Sequence, residues 1–279
     1  MGRLRRLDSE MVRRNLAPSR TRASQLINAG RVSVDGQVAS KPARQIDPAQ
    51  AIVVAETTDP DFASRGGYKL AGALDYLGAA APHIEGRICL DAGASAGGFT
   101  DVLLRHSAAK VYAVDVGYGQ LAWRLASDTR VDVRDRTNVR LLTPEDFDPR
   151  PSLVVSDLSF ISLTLVLAPL VNVCTQQADL IVMVKPQFEI GKDRLGAGGV
   201  VRDPADHIAT VTRVATCACS LGLTVAHAAP SPLPGPAGNV EYFLHLVKGS
   251  ATTATSADDL GDMIAAAVKD GPAGGGERL

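Results

Sequence analysis

The sequence predicts an α/β protein: a doubly wound, mostly parallel sheet of seven strands, preceded by a small α+β domain. Three observations carry this. Five apolar runs, at 87–93, 110–116, 131–136, 151–159 and 180–188, end on polar residues and alternate with helical segments at 97–106, 118–126, 161–171 and 205–221. Near-continuous apolar strands separated by helices belong to a parallel sheet covered on both faces. Two last runs, LTVAHAA and EYFLHLVK, are joined through PSPLPGPAGN with no helix between them, so they are expected to pair antiparallel. Finally, residues 1–50 hold ten Lys/Arg against four Asp/Glu, although the net charge of the 279 residues is −1. A basic head on an acidic body reads as a separate unit that meets a polyanion.

Within the head, 7–16 and 20–29 are expected to be short helices. Met11, Leu16, Ala23, Leu26 and Ile27 recur at helical spacing; Asp8 offers a cap to the first helix, and Ser19 or Ser24 to the second. Gly30 closes the second helix. RVSVDGQVAS then sets Asp-Gly between two alternating runs, the mark of a hairpin. KPARQIDPAQAIVVAE adds a Pro-broken connection and one more strand, completing a domain over 1–57. Polar residues, Pro and Gly cluster over 58–66, which reads as a linker to a domain over 67–249. Residues 250–279 are expected to be a flexible tail in which SADDLGDMIAAAV forms a short capped helix. The basic N-terminal stretch is followed by no apolar h-region, and no apolar run of roughly eighteen residues occurs, so neither a secretory signal nor a membrane span is expected. Cys89, Cys174, Cys217 and Cys219 show neither a disulfide framework nor zinc spacing, which suits reduced thiols in a cytoplasmic protein without a metal site.

Residues 90–100, LDAGASAGGFT, close the first run of the body and place three glycines within six residues. A dinucleotide fingerprint needs glycine where Ser95 stands, and a Walker loop needs a lysine that is missing. Both phosphate readings fail. In an open parallel sheet the ligand lies where strands turn into helices. S-adenosylmethionine carries no phosphate there; it needs a close backbone approach and acids for its amine and ribose hydroxyls. Asp91 precedes the loop, and Asp115 ends the next run twenty-two residues after Gly93, the usual place for gripping ribose hydroxyls. S-adenosylmethionine is therefore the expected cofactor, held by Asp91, Gly93, Ala94, Ser95, Gly97, Phe99, Asp115 and Asp157, with Asn138 facing the adenine.

The methyl acceptor is read from charged residues at the same edge. Carbon-5 methylation of pyrimidines needs a cysteine on a loop after a strand, and Cys89 and Cys174 stand elsewhere. Amino methylation often uses an acid-Pro-Pro-aromatic loop after the fourth strand; Asp157-Leu-Ser-Phe160 keeps the acid and the aromatic but neither proline. A ribose 2′-hydroxyl is a poor nucleophile, needing a base for its proton and cations for the forming alkoxide. Lysines do both when one is desolvated beside another cation. Lys185 ends the fifth run, Asp157 the fourth, Lys69 opens the helix ahead of the first, and Glu241 opens the last. An unpaired ammonium inside LIVMVKPQF is costly to bury, so these four form the candidate catalytic set.

Two resemblances add to this reading. RLDSEMVRRNLAPSRTRASQLINAGRVSVDGQVASKPARQI resembles the alpha-L RNA-binding fold, which implies that Arg3, Arg5, Arg6, Arg20, Arg22, Arg31 and Lys41 grip RNA phosphates. The Lys-Asp-Lys-Glu order is similar to the FtsJ-like 2′-O-ribose methyltransferases. Across most of the chain, SRGGYKL, LDAGASAGGFTDVLL, AVDVGYGQLAW, VSDLSFISL, GGVVRDP and PLPGPAGNVEYF resemble the TlyA family, which joins the two domains. That resemblance implies a Rossmann-like class I methyltransferase domain and 2′-O-methylation of cytidines in small- and large-subunit ribosomal RNA, within subunits or their precursors. It also implies a link to tuberactinomycin sensitivity. Lys185, flanked by Asp157 and Glu241, is then expected to be the general base of an in-line displacement, with Lys69 positioning the ribose and stabilising the oxyanion. Two rivals are a membrane-lytic hemolysin, a label the family has carried, and a non-catalytic ribosome assembly factor. The first wants insertion segments that are missing, and the second does not need the complete charged set.

Overall fold

The computed structural model describes residues 4–17, 19–28, 30–55, 61–191, 194–249 and 256–274. Its contacts divide the chain into a head, Met1–Asp61, and a body, Phe62–Leu279.

In the head, β1 (Arg5–Arg6) runs into α1 (Leu7–Arg13) and is followed by α2 (Arg20–Asn28), β2 (Val32–Val34), β3 (Gln37–Val38), β4 (Gln45–Ile46) and β5 (Ile52–Val54). Asp35 and Gly36 both take positive φ, 49° and 81°, the twist that a two-residue hairpin turn requires. β2 lies between β3 and β5, while β1 pairs with β4. Ser19 caps α2, its hydroxyl accepting from the Arg22 amide. Asp8 is not the expected cap; it sits inside the first turn of α1 and is buried. Leu7, Met11, Ala23, Ile27, Val32, Val34 and Ile46 form a core of the small size such a unit allows.

The body opens with α3 (Arg65–Leu77), then β6 (Ile88–Ala92), α4 (Gly98–Arg105), β7 (Lys110–Val114), α5 (Trp123–Ala126), β8 (Val131–Arg134) and β9 (Leu153–Ser156). It continues through α6 (Leu167–Val173), β10 (Ala178–Val184), α7 (Pro186–Glu189), α8 (Pro204–Ser220), β11 (Leu223–Pro230), β12 (Tyr242–Lys248) and α9 (Ala257–Asp270). The strands form one sheet in the order β11-β12-β10-β9-β6-β7-β8. β12 is antiparallel to both neighbours, and the remaining pairs are parallel. Alternate side chains divide each strand between two cores. Cys89, Val111, Val155, Ile181 and Met183 pack with residues of α3 and α4, whereas Leu90, Tyr112, Val154, Leu180 and Val182 pack with α6, α8 and α9.

From β6 the chain runs to β7 and β8 on one side and returns to β9 on the other, so the switch point lies between β6 and β9. Register decides what gathers there. Ala92 is level with Ser156, Ser156 with Val182, and Val184 with Tyr242. Gly93, Asp157 and Lys185, just beyond three strands, and Glu241, just before a fourth, therefore share one edge.

Three expectations are corrected. Of the helix expected over 118–126, only Trp123–Ala126 is helical; Gly119, at φ 64°, turns the chain ahead of it. The linker expected over 58–66 ends earlier, because Phe62 is buried and Ser64 caps α3 by accepting from the Gly66 amide; residues 56–60 lie outside the described residues. The capped helix expected in the tail forms as α9, but it is docked rather than flexible, burying Leu260, Ile264, Ala267 and Val268 in the larger core. Its cap is Ser256, accepting from the Asp259 amide.

Candidate active site

The glycine loop begins where β6 stops. Gly93 and Gly97 adopt φ of 92° and 94° and bracket Ser95 at 46°, the left-handed region that glycine enters without strain. A Cβ on Gly93 would stand 2.8 Å from the Asp157 carbonyl oxygen, so β6 and β9 approach backbone to backbone. A Cβ on Gly98 would stand 2.6 Å from the Gly67 amide nitrogen. The first turns of α3 and α4 thus touch through bare backbone, which places Lys69, in the second turn of α3, at the sheet edge. Asp115 ties the loop to β7 by accepting from the Ser95 amide at 2.9 Å and the Gly117 amide at 2.7 Å.

Gly93, Ala94, Ser95, Phe99 and Asp157 line a cleft of about 260 Å³, together with Lys69, Lys185 and Glu241. Asp91, Gly97, Asp115 and Asn138 do not line it. Asp91 lies beneath the loop, fully buried; its Oδ2 accepts from the Thr100 amide at 2.8 Å and hydroxyl at 2.7 Å. Its Oδ1 has no partner among the described residues. Burial pushes this carboxyl up to about 7; the Thr100 bonds oppose the rise, and Asp157 and Asp115 add to it. Asn138 caps the turn Val139–Leu141, accepting from the Arg140 amide at 3.0 Å.

Two lysine–carboxylate pairs face the cleft. Lys69 Nζ donates to Glu241 Oε2 at 2.5 Å, and both residues are buried. Lys185 Nζ lies 2.6 Å from Asp157 Oδ1 and donates to Ser159 Oγ at 2.9 Å. Glu241, expected beside Lys185, is therefore the partner of Lys69. Gly235 gives its carboxylate room, since a Cβ there would stand 2.8 Å from Glu241 Oε1. The loop holding Gly235 is anchored on two sides. Arg65 donates to the Pro234 carbonyl at 3.1 Å, and Asn239 accepts from the Val201 amide at 3.0 Å while donating to the Gly199 carbonyl at 2.9 Å. Ser64, Arg65, Ser159, Pro234 and Pro236 also line the cleft. All five stand in or beside the motifs that carry Lys69, Asp157 and Glu241, but their residue types alone signal no role there.

In the head, Arg6 and Arg20 both bind Asp8, Arg5 binds Glu10, Arg22 pairs with Asp61, and Arg31 donates to the Ala55 carbonyl. Lys41 is exposed, and Arg3 lies outside the described residues.

Residues 62–248 match the model of FtsJ-like methyltransferases, and residues 5–52 match that of the S4 domain. The chain is 50% identical to the 16S/23S rRNA (cytidine-2'-O)-methyltransferase TlyA of Mycobacterium tuberculosis, over 98% of this chain and 100% of that one. It is 35% identical to Hemolysin A of Brachyspira hyodysenteriae, over 87% and 99%. A solved structure described as a hemolysin from Streptococcus thermophilus matches with a TM-score of 0.73 at 34% identity, over 96% of each chain. Among the described residues no helix is long and apolar enough to cross a membrane.

Proposed function

Because the chain belongs to the FtsJ-like methyltransferase family, in its TlyA branch with an S4 domain ahead, we propose that it methylates the 2′-hydroxyl of a cytidine ribose in ribosomal RNA, using S-adenosylmethionine. The observation that carries the reading is the two lysine–carboxylate contacts, each with a buried ammonium, facing one cleft beside the glycine loop.

The residues present fit the cofactor. Gly93, at φ 92°, turns the chain along the wall of the cleft, and the buried Oδ1 of Asp91, which has no partner among the described residues, is left to a donor on the ligand. Gly93, Ala94, Ser95 and Phe99 would hold it. When bound it supplies an electrophilic methyl group on a sulfonium. The chain's own residues prepare the acceptor. Lys185 Nζ takes the ribose hydroxyl proton while passing one of its own to the Asp157 carboxylate, 2.6 Å away, so no net charge is added to the cleft. Lys69, held by Glu241, donates to the ribose oxygen and steadies it as charge develops.

Lys185→Ala tests this. Transfer of labelled methyl to ribosomal subunits is expected to fall by at least about 100-fold, with thermal unfolding and cofactor affinity close to those of the unaltered protein. Full activity would reject Lys185 as the proton acceptor.

A further inference from the structure

The head carries two carboxylates where a polyanion-binding unit has least use for them. Asp8 and Glu10 are buried, and each gathers more than one guanidinium. Asp8 accepts from Arg6 Nε at 3.1 Å and Arg6 Nη2 at 2.7 Å, and from Arg20 at 3.2 Å. Glu10 accepts from Arg13 Nε at 2.8 Å and Nη2 at 2.6 Å, from Arg14 at 2.8 Å and from Arg5 at 3.4 Å. Two residues apart on α1, the carboxylates serve opposite flanks of the helix. Pairing with Arg6 and Arg13 respectively holds both carboxyls down at about 2, so they are ionised at neutral pH.

Arg14 shows what a purely structural arginine looks like here. Its remaining nitrogens donate to the Pro48 and Gln50 carbonyls, and its side chain is 22% exposed. Arg5, Arg6, Arg13 and Arg20 are different: their side chains stay 43–59% exposed, with one end fixed on a buried carboxylate. Anchoring α1 needs one guanidinium per carboxylate. The surplus leaves like charges crowded together, an arrangement that an external anion relieves.

We propose that Asp8 and Glu10 are positioning residues that hold Arg5, Arg6, Arg13 and Arg20 as a preset array of forks for RNA phosphates. Fixing a guanidinium before binding removes much of the side-chain entropy that ordering it would otherwise cost. The inference rests on the reading of the chain as a ribosomal RNA methyltransferase.

The test separates positioning from charge, because the two give opposite signs. Asp8→Asn and Glu10→Gln each remove a negative charge, so net charge alone would tighten binding to RNA. Positioning loosens it. Affinity of the full chain for ribosomal subunits is measured across salt concentrations, with KM and kcat for methyl transfer. Each substitution is expected to weaken binding about tenfold, with the loss falling on KM, and to make the salt slope shallower by about one for each phosphate no longer held. Unchanged or tighter binding would overturn the proposal. Should either variant fail to fold, Arg6→Lys with Arg20→Lys keeps the charge and removes the forks at exposed positions. Weaker subunit binding supports the proposal there, and unchanged affinity overturns it. If the unaltered chain neither binds nor methylates subunits, the functional reading itself fails, a distinct outcome.

Discussion

Replacing Glu241 by glutamine keeps the shape of the site and leaves the Lys69 ammonium without its counter-charge. The Lys69 side chain is 7% exposed, and its carboxylate partner is 2.5 Å away. Breaking a buried pair by removing one partner costs about 3–5 kcal/mol. Because this pair borders a cleft that admits water, the lower end applies, about 3 kcal/mol. For a unit of this size that is a fall in melting temperature of roughly 6–12 °C. Calorimetry on the purified variant reads it directly. The double variant Lys69→Met with Glu241→Gln removes the stranded ammonium as well. It should recover most of the melting temperature and none of the methyl transfer. A single variant melting within about 2 °C of the unaltered protein, against the cost above, would show that Glu241 does not compensate a buried charge. A double variant that still methylates would show that the pair has no part in the chemistry.

Three further outcomes are expected. Asp91 binds its proton in the folded state up to about pH 7, whereas an exposed aspartate releases it near about 4, so stability contributed by this group falls as pH rises between those values. Asp91→Asn should flatten that part of the stability profile, and an unchanged slope in denaturant titrations would contradict the account. Gly98→Ala places a methyl 2.6 Å from the Gly67 amide nitrogen, a backbone atom that cannot step aside. It should cost about 1–3 kcal/mol and activity with it, while Gly66→Ala, whose nearest contact is 3.3 Å, is milder; equal melting curves would refute the close approach of α3 and α4. Ile264→Ala should destabilise the body by about 3 kcal/mol because its side chain is fully buried, and no effect would mean that α9 is not part of the core.

The parallel strands were legible because most are apolar runs and each stops at a polar edge; β8, Val-Asp-Val-Arg, is the exception. The insertion of β12 between β11 and β10 was not, since a loop such as 231–241 does not state which edge it returns to. β1 and β4, two residues each, fall below any periodic signal. The cap and helix of α9 were legible in SADDLGDMIAAAV, but the docking of Leu260, Ile264 and Ala267 into the core was not, because the low-complexity sequence around them reads as a tail. At the site, chain order brought Lys69, Asp157, Lys185 and Glu241 to one edge, because strand ends are readable. The pairing was not: register and the turn at Gly235 give Glu241 to Lys69 and leave Lys185 to Asp157 and Ser159. The burial of Asp91 and the cap made by Asn138 likewise depend on how α4 and the turn at 139–141 pack, which spacing alone does not encode.

The most direct measurement is nucleoside analysis of ribosomal RNA after incubating subunits with the purified protein and methyl-labelled S-adenosylmethionine. Label is expected in 2′-O-methylcytidine, dependent on Lys185. Label on a base, or no incorporation into RNA, would contradict that expectation.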